Sequence, residues 1–413
     1  MKSKCEPLVS LAVLFLVNVL NIYDRQVLSA VVEPLRRDFH LSDTQLGLLP
    51  ALFTVLYAVA GLPLGRAADT GSRRRLLAVG IAVWAVLTAL GAAAMSYGAL
   101  LATRLGVGIG EAVCAPAATS WIADVVPAVR RARAMAGFMM AVPVGIMLSL
   151  AISGPVAQAY GWRAAMTLAA VPAMALVPAV LWLPEPARAA SPTQPAPSYS
   201  FLRLRAFWWI AASGAIVNSA LYSFSYFLPA FLTRVHGLTV GQAGLWTGIG
   251  SGAAGIAGAV GAGLFGDNRR MGRMRLAAVA ALLAAPPIFA ALRLPVGSAP
   301  AVTALAMLGY GLLQTYYGLV YAALHDVVAP ALRGTAMAAY LMVSYLCGAS
   351  FGPVLTGRLS DHFARSASAA GLAPEAARAV GLHHAMYVIP ALCVALAVVL
   401  WQGAGGQSAS LPS

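Results

Sequence analysis

Asn21-Ile22-Tyr23-Asp24-Arg25-Gln26 sits inside the apolar run from Leu8 to Val32. A run of that length suffices to cross a bilayer, which takes roughly 20 residues. Yet it carries an acid and a base in its second half. An ionised side chain at bilayer depth costs from about 2.5 to over 10 kcal/mol, so such groups turn toward a protein interior or a wet cavity and have a partner there. The stretch therefore predicts a spanning helix that belongs to a larger helical bundle. Asp24 is expected to be half of a buried charge site.

Composition agrees with a bundle in lipid. Of 413 residues, 60% are hydrophobic and 10% charged, with a mean hydropathy of +0.80. Soluble domains carry about 25% charged residues. The formal net charge of +14 would suggest nucleic acid in a soluble chain. Here the bases cluster in short gaps between apolar runs, where they serve topology and contact with anionic lipid. No basic groove or stacking platform for nucleic acid is apparent. Cys5, Cys114, Cys347 and Cys393 form no close pair, which argues against a disulfide or a metal site. Lys2 and Lys4 before an apolar stretch resemble a secretion signal, but the run is too long and holds Asp24-Arg25. It reads as a retained first helix.

Apolar runs recur at 8–33, 44–68, 76–95, 98–124, 134–158 and 162–184, and again at 206–234, 241–266, 275–294, 299–326, 335–361 and 381–402. They predict an all-α membrane protein of twelve transmembrane helices, α1 to α12, in two six-helix bundles. The expected division is 1–185, a cytoplasmic linker over 186–204 rich in Pro, Ala and Ser, and 205–413. Seventeen Lys and Arg fall on the side of the termini and eight on the other, leaving Arg25 and Arg104 inside the runs. The positive-inside rule then places both termini in the cytoplasm. The halves also echo one another. Gly65–Asp69 matches Gly263–Asp267 and Gly154-Pro155-Val156 matches Gly352-Pro353-Val354, both at an offset of 198 residues. Asp124 through Arg131 to Ala136 matches Asp326 through Arg333 to Ala338 at 202. Two parallel repeats with a site between them at the midplane is a transporter arrangement.

The run α4 carries the second charged pair, Arg104 and Glu111. Seven residues is close to two helical turns, so both project from nearly one face. Since α1 and α4 run in opposite directions, Asp24 and Arg104 fall at similar depth. A charge pair that merely tied two helices together would add little stability over apolar packing, which favours a functional reading. A guanidinium that moves relative to a buried carboxylate changes the carboxylate's hold on a proton. That is what coupling to a proton gradient requires, with Glu111 a second proton site or a relay. Asn21 is expected to face the cavity, and Arg25 the cavity or the gate between the halves. At an offset of 198, Asp24 maps to Tyr222 and Arg104 to Val302, so the second half lacks deep charges. It offers Asn218, Tyr222, Tyr226, Gln314, Tyr317 and Tyr340 to a substrate cavity.

The loop after α2 reads Gly65-Arg66-Ala67-Ala68-Asp69-Thr70-Gly71-Ser72-Arg73-Arg74-Arg75. Glycines permit a tight turn and close helix approach, Asp69 is placed to cap a neighbouring helix, and an Arg is placed to bridge to Asp124. A cytoplasmic gate built from Gly65, Asp69, Arg73, Arg74, Asp124 and Arg131 is expected, with Arg73 as the bridging base.

This loop resembles the signature between the second and third helices of the major facilitator superfamily, with Thr70 in place of the usual base and the loop glycine one position early at Gly71. Asn21 to Ser29, Leu41 to Leu49, and Arg104 through Glu111 to Pro116 further resemble the bacterial spinster-like transporters. That resemblance implies proton-coupled export or flipping of lysolipids or sphingoid-type lipids, with Asp24, Arg104 and Glu111 as the coupling residues. Organic anion–cation symporters share the Asp-Arg pair on α1 and the Arg and Glu on α4, and are the alternative; multidrug efflux is more distant.

No enzyme is expected. His40, His236, His325, His362, His383 and His384 fall at helix ends or loops, with no metalloprotease motif, paired carboxylates or nucleotide loop. The expected partners are membrane lipids, protons and a small amphiphilic or anionic substrate. No cofactor, metal or nucleic acid is expected, and the chain reads as a monomer of the inner membrane.

Overall fold

The protein is described by a computed structural model covering residues 6–186, 199–266, 272–329 and 332–408. Among these residues it is helical throughout, apart from turns and short connections. Observed spans are α1 (Leu8–Ala30), α2 (Asp43–Ala68), α3 (Arg73–Ala92), α4 (Tyr97–Val125), α5 (Val129–Tyr160) and α6 (Trp162–Trp182). They continue with α7 (Arg205–His236), α8 (Val240–Phe265), α9 (Arg273–Arg293), α11 (Arg333–Ala369) and α12 (Pro374–Ala404). These eleven are long and apolar enough to cross a membrane. The twelfth, α10 (Ala299–Val327), has 29 residues and is made more polar by Tyr310, Gln314, Tyr316, Tyr317 and Tyr321. Among the described residues, the twelve expected helices are therefore all present.

Four of the spans are interrupted, each in the same way. Proline has no N–H to donate and its ring crowds the carbonyl four residues back. Pro116, Pro143, Pro353 and Pro390 lie four residues beyond Ala112, Met139, Ala349 and Met386, where α4, α5, α11 and α12 break. The break in α11 is a short π-turn, Tyr345–Ala349. The break in α4 falls directly after Glu111. Other prolines, such as Pro155 and Pro229, lie within continuous helices. After α1 the chain adds a short amphipathic helix, Val32–Phe39, closed by His40 in the left-handed conformation at φ 53°.

The chain divides into two compact units. The first gathers residues 1–41, 52–192 and 239–249, and the second residues 42–51, 193–238 and 250–413. The first is centred on buried Trp84 and Trp121 with Leu14, Val17, Leu77, Ile81 and Val107. In the second, α7 is the most enclosed helix and buries Phe207, Phe224, Phe227 and Phe231. Exposed Val59, Leu62, Val79, Leu90, Val171 and Leu264 are the side chains a lipid phase would cover.

The internal repeat extends to individual hydrogen bonds. In the first unit Arg73 pairs with Asp124 and Arg131 donates to the Ala123 carbonyl. In the second, Arg273 pairs with Asp326 and Arg333 donates to the His325 carbonyl. Asp267 lies outside the described residues, as does the Asp69 side chain.

Candidate functional site

Within the first unit, α1, α3 and α4 bring two acids and two bases together. Asp24 and Glu111 are fully buried, Arg104 is 2% exposed and Arg25 17%. Arg104 approaches Asp24 Oδ2 at 3.5 Å, and Arg25 Nε donates to Glu111 Oε2 at 2.6 Å. The expected pairing of Asp24 with Arg104 is present. Arg25, expected from sequence at the cavity or the gate between the halves, holds Glu111. Its guanidinium also lies 4.1 Å from the Tyr57 ring centre and 5.4 Å from that of Phe53. These aromatic faces attract a cation and fix the arm from α2. Asn21 is buried one turn before Asp24, with its side-chain nitrogen unpartnered among the described residues.

Small residues make this packing possible. A Cβ on Gly110 would lie 2.9 Å from the Trp84 backbone nitrogen and 3.0 Å from the Gly80 carbonyl oxygen. The α3 and α4 backbones therefore touch beside Glu111. Sequence reading missed Thr88 on α3, whose hydroxyl stands between Asp24 and Arg104. A lone threonine in an apolar run carries no signal that would have picked it out.

In the second unit the expected cavity residues form an uncharged polar and aromatic cluster. Tyr317 donates to Asn218 Oδ1 at 3.1 Å, and Asn218 donates to the Gly214 carbonyl. Tyr340 bonds to Tyr316, which bonds to Ser213. Gln314 donates to Tyr310. Tyr321 stacks edge-on with both Tyr317 and Tyr340. Tyr222 is half-buried, whereas Tyr226 is buried edge-on against Phe227.

At the far end of the first unit, Arg73 is buried and pairs with Asp124, as expected. It also donates to Ser120 at 3.1 Å and to the Pro186 carbonyl. Arg74 donates to the Leu183 carbonyl and Arg131 to that of Ala123. Glu185, absent from the sequence reading, completes the cluster by accepting from Ser72 Oγ at 2.5 Å and from the Arg73 backbone N–H at 2.7 Å. Burial alone would push its carboxyl up. The Ser72 hydroxyl, the Arg73 and Arg74 backbone N–H groups and the Arg73 charge overcome that and hold it below the ordinary value. Gly65 makes no close approach here, because a Cβ on it would meet nothing within 4 Å.

Comparison with known proteins matches this arrangement. The family model of the Major Facilitator Superfamily covers residues 14–353. An "MFS-type efflux pump" of Mycolicibacterium smegmatis is 32% identical over 94% of this chain and 92% of its own. "Protein spinster homolog 3" of Danio rerio is 28% identical over 86% of this chain and 77% of its own. A crystal structure of a bacterial homolog to the human lysosomal transporter Spinster, inward-facing and occupied, is 26% identical. It superposes with a TM-score of 0.89, covering 100% of this chain and 99% of that one. The chain belongs to the major facilitator superfamily and is a membrane transporter related to the spinster proteins, not an enzyme.

Proposed function

We propose that this transporter is driven by the proton gradient across the inner membrane and exports or flips lysophospholipid or sphingoid-type amphiphiles. It works by alternating access between the halves 1–185 and 205–413, joined by a cytoplasmic linker over 186–204, with both termini in the cytoplasm. The observation that carries the reading is the buried cluster of Asp24, Arg25, Arg104 and Glu111. Two carboxylates and two guanidiniums matched one to one are neutral together. Adding a proton leaves one excess positive charge in a low-dielectric place, where charge interactions are strong. Proton occupancy is thereby linked to which partner each guanidinium holds. Arg73, Arg74, Asp124 and Arg131, with Glu185, act as the cytoplasmic gate.

Amphiphile transport is supported by the kinship with spinster proteins and by the second unit's uncharged cluster of tyrosines, Asn218 and Gln314. Arg25 and Arg104 each already hold a carboxylate, so neither is free to seat an organic anion. This disfavours the anion–cation symporter alternative. Efflux of drug-like amphiphiles is a second reading, favoured by the efflux pump of Mycolicibacterium smegmatis.

Purified protein in proteoliposomes under an imposed pH gradient tests the proposal, with lysophosphatidylcholine, sphingosine and a small organic acid as candidate substrates. Gradient-dependent movement of a lipid, lost in Asp24→Asn, is expected. Equal coupling in the variant would remove the proton role, and movement of the organic acid alone would remove the lipid.

A further inference from the structure

Thr88 is fully buried on α3 and meets both charged partners of the site. Arg104 Nη2 donates to Thr88 Oγ1 at 3.0 Å, and Thr88 Oγ1 donates to Asp24 Oδ2 at 2.9 Å. A helical threonine ordinarily returns its hydroxyl to a carbonyl one turn back. Thr119, Thr167, Thr233 and Thr303 of this chain do so. Thr88 gives its hydrogen to a carboxylate instead. The direction of the chain of bonds is set, because a guanidinium only donates and a hydroxyl has one hydrogen. Arg104 occupies a Thr88 lone pair, so the Thr88 hydrogen points at Asp24. Gly91 leaves room for this, since a Cβ there would lie 3.4 Å from Arg104 Nη2 and 3.0 Å from Thr103 Oγ1.

The two carboxyls are thus each satisfied on one edge only. Asp24 Oδ2 accepts from Thr88 and Arg104, and Glu111 Oε2 accepts from Arg25. Asp24 Oδ1 and Glu111 Oε1 are buried and have no hydrogen-bond donor among the described residues. We propose that Thr88 is a positioning residue that commits Asp24 Oδ2 to accepting, so that the exchangeable proton is held on the opposite edge of the same carboxyl, at Asp24 Oδ1. Asp24 then carries one proton when occupied and none when empty, the proton leaving as a hydron to water with no other bond broken. The titratable or charged groups around it are Tyr23 and Arg25 on α1, Tyr57 on α2, and Arg104, Glu111 and Cys114 on α4. This inference rests on the proton-coupled reading above and assigns the proton's place within it.

Infrared titration of the purified full chain in detergent tests it, following the C=O band of a buried protonated carboxyl without any substrate. Removing a hydrogen bond to an ionised acceptor penalises the ionised form by an amount that corresponds to about one pH unit or more. Thr88→Val is therefore expected to shift the midpoint upward by about that much, and Thr88→Ser to return it to the wild-type value. Glu111→Gln is expected to move the remaining Asp24 band to lower pH, because a like charge in the same buried cluster has gone. Thr88→Ala, which deletes the hydroxyl without adding bulk and carries the same expected upward shift, decides the matter should Thr88→Val fail to fold. If Asp24→Asn and Glu111→Gln both leave the wild-type band untouched, the proton-coupled reading fails together with this one. If they alter it while Thr88→Val leaves the midpoint in place, only the role of Thr88 is overturned.

Discussion

Arg234 donates two parallel hydrogen bonds to Asp43, from Nη1 to Oδ2 at 2.7 Å and from Nη2 to Oδ1 at 2.8 Å. The residues are 191 apart in sequence, and their side chains are 4% and 5% exposed. Ser360 donates to the same Asp43 carboxylate at 2.5 Å. Asp361 accepts from the backbone N–H groups of Asp43 and Thr44, completing the first turn of α2 in the way a capping carboxylate does. Within the second unit, residues 42–51 of α2 are thereby fastened to the ends of α7 and α11.

Arg234→Met will strand the Asp43 carboxylate in a buried place. Removing one partner of a buried pair costs about 3–5 kcal/mol, whereas replacing both by apolar groups of similar volume is close to neutral. The thermal unfolding midpoint in detergent is expected to fall clearly for Arg234→Met and to recover substantially in the double variant with Asp43→Leu. Additive losses in the double variant would show that the pair does not act as a unit.

Arg104→Gln will leave Asp24 with Thr88 as its principal donor, and stability should fall by a similar amount. Adding Asp24→Asn removes the uncompensated charge. The double variant is expected to regain most of the lost unfolding midpoint while remaining uncoupled in the proteoliposome assay. A double variant that transports with wild-type coupling would dissociate the pair from the proton.

Glu185 gives the Arg73–Asp124 cluster a pH dependence of known sign. Its carboxyl is held below its ordinary value of 4.5 in the folded chain. Its contribution to stability is therefore complete above that value, and is lost as pH falls through the lower folded value. Wild type should exceed Glu185→Gln in unfolding midpoint near neutrality, and the difference should shrink in acid. A difference that grows on acidification would reverse the assignment.

Gly110→Ala and Gly65→Ala should part company. The first places a Cβ within 3.0 Å of two backbone atoms of α3, and overpacking of this kind typically costs 1–3 kcal/mol. The second adds a methyl where nothing lies within 4 Å, and Gly to Ala at a compatible helical site stabilises by about 0.4–1 kcal/mol. Equal unfolding midpoints for the two variants would contradict the contact geometry at Gly110.

Much of this protein can be read from the chain alone because hydropathy and helical period are local properties. Twelve runs, the echo of Asp124 and Arg131 in Asp326 and Arg333, and the placing of Arg104 and Glu111 on one face all follow from spacing. So does the expectation that Asp24 has a basic partner, since an acid in an apolar run is too costly otherwise. What spacing leaves open is which helix each face meets. The tertiary structure decided that Arg25 reaches Glu111 while Arg104 turns to Asp24, and that Thr88 stands between the latter two. It also joined Asp43 to Arg234 and Asp361, and Glu185 to Ser72. These partners lie tens to hundreds of residues apart. Their meeting depends on helix rotation, proline breaks and the close approaches that glycines allow, all of which are set by packing between helices rather than by order along one.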